Sequence, residues 1–510
     1  MKKAFLFTTG DGRPTANAFW MPQHHLIIPQ VEAAVRSLGF EPIWLHDKDV
    51  AVSSEYMAVK VGKNLISQVS QGDLLIDLTT GWNFPEHFGI VVTMVQGLIG
   101  SGAIKLLLVC NMEEKAPGYV ATRANVLICE IMELPYTSLA VLDQSKQGWQ
   151  EFTADLKSVI EGTYKLEIPQ SEVEVTEEHR ETARSAISMI WRSGGVVPFI
   201  NVSSMTMAQG WPNYYMFKRL GLTPIFVGSN QFQADMKRVQ SCDVQWAYGW
   251  LRNHGLNFVF EEGGLCEKEI FDALRMYLAK LEYFKRGAIG MGTQGQMDTT
   301  KFEVATDLSE SLMMSSLSPG KNRPVVDVTE ADAEALWTSI LMQYIILAKT
   351  GAFAPIGFHD VRHYNQEADT LVLLNSGALA LDFMTDEFGD YSDIYAVSQN
   401  RNVYFLNGGA CIKGNMRSFR GANMFRAHGK GSGYRMLATR LDFLHLPWEL
   451  RESKYGKLDP WPMGIAQVPG GKTKAVTLNW IPNHSQHCGY DILPEMKAAC
   501  EILGVDFYCF

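Results

Sequence analysis

Met1-Lys2-Lys3-Ala4-Phe5-Leu6-Phe7-Thr8-Thr9-Gly10-Asp11-Gly12-Arg13 opens the chain. Two lysines before an apolar run suggest a secretory leader, but Thr8 to Arg13 cut the run far short of a signal-peptide core. The stretch reads instead as a buried first strand with a glycine-bearing loop behind it. Further buried strands are expected at residues 42–45, 74–78 and 105–109. Between them, Ile28, Val31, Ala34, Val35 and Leu38 fall on one face of a helix, and residues 56–69 repeat that spacing. Helices between successive strands make the strands parallel, so residues 1–165 are expected to form a doubly wound, Rossmann-like α/β domain.

A polar, acidic stretch at 168–178 then breaks the pattern and reads as a linker. Strands near 197–202 and 224–227 and a long helix over 267–285 predict a second doubly wound α/β domain, residues 166–350, closing with a helix over 331–349. Beyond it, clusters of Gly, Asn and Arg separate short runs at 369–374, 402–406 and 475–478. Residues 351–510 are therefore expected to form a β-rich, barrel-like domain.

With 510 residues, 46% hydrophobic and 20% charged, the chain has room for several ordered cores. A net charge of −10 argues against nucleic acid as a partner, because phosphate-backbone binding needs clustered Lys and Arg. No run approaches the roughly 18 apolar residues of a membrane span. A cytoplasmic protein with no membrane partner is expected. The eight cysteines are scattered without C-x-x-C spacing, against a zinc knuckle or a disulfide framework.

Carboxylates and histidines at strand ends are the better site candidates, since loops converge there in α/β folds. Glu330, Asp360 and His484 each follow an apolar run, at 324–328, 354–359 and 476–480. Two carboxylates and an imidazole suit Mn2+, Fe2+, Co2+ or Mg2+. Singly, each has another reading: Glu330 as a charge in a first helical turn, Asp360 as a capping or turn aspartate, His484 as a hydrogen-bonded loop histidine.

The order and spacing of short motifs over residues 292–382 resemble the L-fucose/L-arabinose isomerase family. These are Gly295-Gln296 after Gln294, Ser309-Glu310-Ser311-Leu312, Val328-Thr329-Glu330-Ala331-Asp332, His359-Asp360-Val361-Arg362-His363-Tyr364, and Asn375-Ser376-Gly377-Ala378-Leu379-Ala380-Leu381-Asp382. Asn479-Trp480-Ile481-Pro482-Asn483-His484 is similar to the family's motif with its metal-binding histidine, and Arg13 and Trp82 to its sugar-contacting positions. The chain is shorter than those isomerases.

The resemblance implies an aldose–ketose isomerase of a free monosaccharide. Glu330 and Asp360 would be metal ligands and the acid/base pair, His484 the third ligand, and Mn2+ (or Co2+, Fe2+ or Mg2+) the cofactor. Arg13, Trp82, Gln294 and Asn483 are the substrate-binding candidates; on position alone, Trp82 reads equally as core and Arg13 as a surface charge. The resemblance also implies a homo-oligomer, a trimer or hexamer, with sites at subunit interfaces where Arg13 and Trp82 of one copy close the site of another. The alternatives are a non-catalytic sugar-binding or regulatory protein, or another metal-dependent carbohydrate enzyme such as an epimerase or aldolase.

His487 is expected to orient a neighbour or sit bonded in a loop rather than ligate, with His359 and His363 facing away from Asp360. Residues 404–411 lack the aromatic that follows the family's glycine-rich turn. Arg417, Arg420, Arg426, Lys430 and Arg435 fit either a solvated loop face or an anionic sugar, the former being favoured. Gly290 to Gly295 match G-x-G-x-x-G, but the polar run behind them opens no apolar-periodic helix, which argues against a dinucleotide site. The Gly429–Gly433 cluster resembles a phosphate loop without its order.

Overall fold

The computed structural model describes residues 2–112, 117–166, 168, 170–297, 299–455 and 460–510, at Tyr455 the backbone only. Pro169 of the expected linker and Asp298 of the polar run behind the glycine pattern lie outside the described residues.

In the first sheet the strands Phe40–Trp44, Lys2–Phe7, Asp73–Thr79, Ile104–Asn111 and Tyr136–Val141 lie side by side in that order, all parallel. Alternation sends Phe5, Phe7 and Leu75 to one face, against helices Glu55–Ile66, Pro85–Gly100 and Gly118–Met132. Ala4, Leu6, Leu74 and Ile76 meet Pro14–Ser37 and Lys146–Glu161 on the other. Burial on both faces is why the three inner strands are near-continuous apolar runs, while the edge strands Phe40–Trp44 and Tyr136–Val141 are only part-buried. The helix expected from 28 begins at Pro14, whose missing N–H is one a first turn leaves unsatisfied anyway.

The second sheet orders Val326–Thr329, Gly290–Thr293, Val196–Ile200 and Thr223–Val227, again all parallel. Helix Glu267–Lys285 falls where its periodicity predicts, and Ala333–Thr350 close to it. The glycine pattern makes the strand Gly290–Thr293, and the next α-helix starts only at Asp307, so the dinucleotide context is missing. Gly290 and Gly292 instead let Leu336, Ile340 and Phe199 pack close, at 3.0–3.1 Å from where a Cβ would stand.

The C-terminal portion is β-rich. Strands Phe419–Lys430, His484–Cys488, Gly357–Asn365, Thr370–Leu374, Met463–Gln467 and Gly433–Leu444 pair antiparallel in that order. Pairing of the last with the first closes a ring of six. Lys430 pairs with Gly433, so the supposed phosphate loop is a tight hairpin turn in which Gly431 takes φ +51°. Two expected strands are absent: residues 475–478 lie in helix Thr473–Asn479, and 402–406 form turns. Four-residue apolar runs carry no period, and the second is held by helix Pro14–Ser37 rather than by a strand partner, through Thr15 Oγ1 to Val403 O (2.9 Å).

A small sheet joins Asn257–Phe258 to Tyr395–Ser398 and Ala410–Lys413, and one hydrophobic core runs from Met291 and Trp337 through Leu371 to Trp480. Packing is thus continuous across residue 350. No described helix is long and apolar enough to cross a membrane. All eight cysteines are free thiols, six of them buried.

Gly357 fixes one detail of the ring. The His487 imidazole lies over it, beside Phe383 and Phe443, and a Cβ on Gly357 would stand 1.9 Å from the imidazole Cε1. Gly357→Ala is expected to displace that ring and lower stability by about 1–3 kcal/mol, read from the urea midpoint.

Candidate functional site

Glu330 stands immediately after strand Val326–Thr329, with φ +64°, followed by Ala331 at +52°. Left-handed backbone costs a side-chain-bearing residue roughly 1–2 kcal/mol. It is held by Ala331 N–H donating to Thr293 O (2.8 Å) and Ser204 N–H to Glu330 O (3.4 Å). Asn201, Ser203, Met205, Thr206 and Met297, in loops at the same edge, also have positive φ, so strain gathers where the strands end.

Asp360 and His484 are brought together differently. They sit opposite each other on neighbouring antiparallel strands and so share a face. Asp360 lies inside strand Gly357–Asn365 rather than at its end, and His484 opens its own strand.

The three side chains meet. His484 Nε2 is 3.2 Å from Glu330 Oε2 and 3.6 Å from Asp360 Oδ1. Both of those oxygens are buried and accept no hydrogen bond. Glu330 Oε1 accepts from Gln296 Nε2 at 2.9 Å. On the other side of the ring, His484 Nδ1 lies 2.6 Å from Asp332 Oδ2. Asp332 caps helix Ala333–Thr350, accepting from Ala335 N–H at 2.8 Å, and Arg426 Nη2 donates to it at 3.0 Å.

Burial opposes charge on His484, but Asp360, Asp332 and Glu330 overcome it and raise the imidazole to about 10. Asp360 is pushed up to about 7, chiefly by burial, with Glu330 adding and His484 opposing. Burial would likewise raise Asp332, but Arg426 and His484 outweigh it and hold its carboxyl below the usual range.

These groups open on a narrow indentation of about 430 Å³ of non-atom space, part of it solvent. Trp82, Tyr404 and Trp461 give it aromatic walls, with Gln296, Arg362, Ser376 and Met205 around them. Among the described residues, no group of three or more His, Cys, Asp or Glu is arranged to hold a metal ion; the three here are closed on one another.

The remaining sequence candidates divide. Trp82 lines the indentation; Arg13, Gln294 and Asn483 do not. Gln294 turns its amide to Val202 O (3.0 Å), and Asn483 accepts from buried Gln209 (2.7 Å). Arg13 and Trp82 reach this site within a single chain, so no second copy is needed to bring them there. His487 and His359 pair Nδ1 to Nδ1 at 2.7 Å, buried on the strand face turned away from His484. Of the five basic residues near 417–435, Arg426 is fully buried, while Arg417, Arg420 and Lys430 are exposed. Sequence reasoning missed Gln296, Asp332, Tyr404 and Trp461 as site residues, although Gln296 and Asp332 stand inside the motifs quoted above.

Compared with models of known protein families the chain matches none, and no curated protein matches it.

In the metal-free chain the folded His484 pKa stands above its unfolded value of about 6.5. Its contribution to stability is therefore complete below that value and lost as pH rises through about 10. Asp332→Asn removes one of the supporting charges. In an NMR titration of the imidazole carbons its His484 midpoint is expected to fall by about 1–3 units.

Proposed function

We propose that the chain is a divalent-metal-dependent aldose–ketose isomerase acting on a free monosaccharide, of the kind found in the L-fucose/L-arabinose isomerase family. Its layout would be two doubly wound, Rossmann-like domains, residues 1–165 and 166–350, and a barrel-like domain, 351–510. The observation that carries the reading is the meeting of Glu330, Asp360 and His484, from three separate stretches, on one aromatic-walled indentation.

Two carboxylates and an imidazole are donor types that suit a hard or borderline divalent ion, and closed on one another as they are, they would have to part to admit it. Glu330 Oε2 and Asp360 Oδ1 are buried and turned toward His484 Nε2, with no other donor on either oxygen. Asp332 holds Nδ1, leaving Nε2 to face the ion. Glu330, Asp360 and His484 would hold Mn2+, or Co2+, Fe2+ or Mg2+, which when bound supplies Lewis-acid stabilisation of the enediolate.

The chain's own groups do the rest. Isomerisation moves a proton between C1 and C2 and another between the two oxygens, so it needs two proton-carrying groups on one substrate. Glu330 and Asp360 are the pair. Burial pushes Asp360 up to about 7 without an ion; a bound cation would pull it back down, so its proton-carrying role rests on its place beside Glu330 and not on that value. Trp82, Tyr404 and Trp461 offer flat faces to the sugar's C–H surface and exclude water from the reacting carbons. Assembly as a homo-oligomer belongs to the same proposal, without a second copy being required at the site.

The test is exchange of solvent deuterium into C2 and ketose formation over a panel of aldopentoses, 6-deoxyhexoses and 6-substituted hexoses with Mn2+. Glu330→Gln should lower both by about 10²–10⁴-fold. Sugar binding with C2 hydrogen retained across the panel would instead indicate a binding protein, and carbon–carbon cleavage an aldolase.

A further inference from the structure

Arg13 is the guanidinium that the sequence offers as a sugar contact, and the geometry gives it other work. A guanidinium has five N–H donors in a fixed fork. Nε donates to Asp11 Oδ1 at 2.8 Å, and Nη2 to Asp11 Oδ2 at 2.6 Å and to Met205 Sδ at 3.4 Å. Nη1 donates to Gln296 Oε1 at 2.7 Å and to Tyr404 O at 3.4 Å. All five are committed, and Arg13 does not line the indentation. Asp11, fully buried, fixes the fork from behind.

What Arg13 does touch is the amide that touches Glu330. An amide has one accepting and one donating end, and Arg13 takes the accepting end. The NH2 is thereby turned onto Glu330 Oε1 at 2.9 Å. With Oε1 occupied, Glu330 presents Oε2 to His484. Glu330 sits on strained, left-handed backbone, so its carboxylate depends on such outside contacts for its orientation.

We infer that Arg13 and Gln296 are positioning residues: Asp11, Arg13 and Gln296 form a hydrogen-bonded chain that sets the rotation of the Glu330 carboxylate and so couples the first sheet to the reacting centre. The inference rests on the proposed role of Glu330 as a ligand and proton carrier. It departs from the expectation that Arg13 binds sugar directly.

The test uses the full chain and four proteins: the wild type, Arg13→Met, Gln296→Leu and the double variant. Gln296→Leu leaves the Asp11–Arg13 pair whole, which guards against misfolding around an unpaired Asp11. Mn2+ affinity by titration calorimetry should fall about 10–100-fold in each single variant. The double variant should be no weaker than the weaker single, the mark of one shared path. The inference is overturned by wild-type Mn2+ affinity in Arg13→Met, or by a raised KM with intact kcat, the signature of direct sugar contact. A wild type that binds no Mn2+ would sink the proposed function instead. The crystal structure of Arg13→Met then decides alone: Gln296 turned off Glu330 upholds the inference, and Gln296 still in place refutes it.

Discussion

An imidazole buried against three carboxylates sets the terms for everything around it. Taking charges out of water costs several kcal/mol each, recovered only where opposite charges and hydrogen bonds meet them closely. His484 faces Glu330 and Asp360 through one nitrogen and Asp332 through the other, and Arg426 closes the arrangement behind Asp332. With Glu334, whose carboxylate lies 3.5 Å from Arg426, the carboxylates outnumber the protonated imidazole and the guanidinium, leaving negative charge in excess. Burial chiefly, and Glu330 beside it, push Asp360 to about 7 under that excess. On the proposed reading, a divalent ion exchanged for the imidazole proton would bring the same groups one more positive charge and reduce that excess. The contacts of the chain without its ion and the chemistry proposed for it thus draw on one charge balance.

Three elements have to converge for that balance to exist, and the topology explains how. In parallel sheets the loops at the carboxyl ends of the strands gather on one edge. Met205, Gln296 and Glu330 follow three strands of the second sheet, while Arg13 and Trp82 follow two of the first. Asp360 and His484 come from paired strands of the antiparallel ring, which needs no loop convergence to set them side by side. Helix Ala333–Thr350 ties the second sheet to the ring: its cap, Asp332, binds His484, and Glu334 in its first turn accepts from Gly429 N–H at 2.9 Å.

How much of this the sequence carried depends on the residue. The buried parallel strands were legible because burial on both faces writes unbroken apolar runs, and helix 267–285 because its period is long. Glu330, Asp360 and His484 were separately ambiguous; only the motif resemblance grouped them. Gln294 was taken for a site residue in place of Gln296, and spacing offers little help, since loop residues obey no alternation. Gln294 still follows the sheet's path and bonds Val202 O, while Gln296, past the strand, is free to reach Glu330. Asp332 was hidden by doing two things at once: a helix-capping aspartate looks the same in sequence whether or not its second oxygen serves an imidazole.

A proton-transfer site constrains a few groups to within fractions of an ångström, whereas a hydrophobic core tolerates many exchanges that keep volume and pattern. The motifs here cluster at strand ends, caps and tight approaches, where Glu330 needs its strained turn and Asp332 its cap position. The core residues between them, such as Leu336, Ile340 and Leu371, answer only to packing. Substitution should therefore be tolerated in the core before it is tolerated in the charge arrangement around His484, because removing one partner of a buried charge set costs more than repacking a core position.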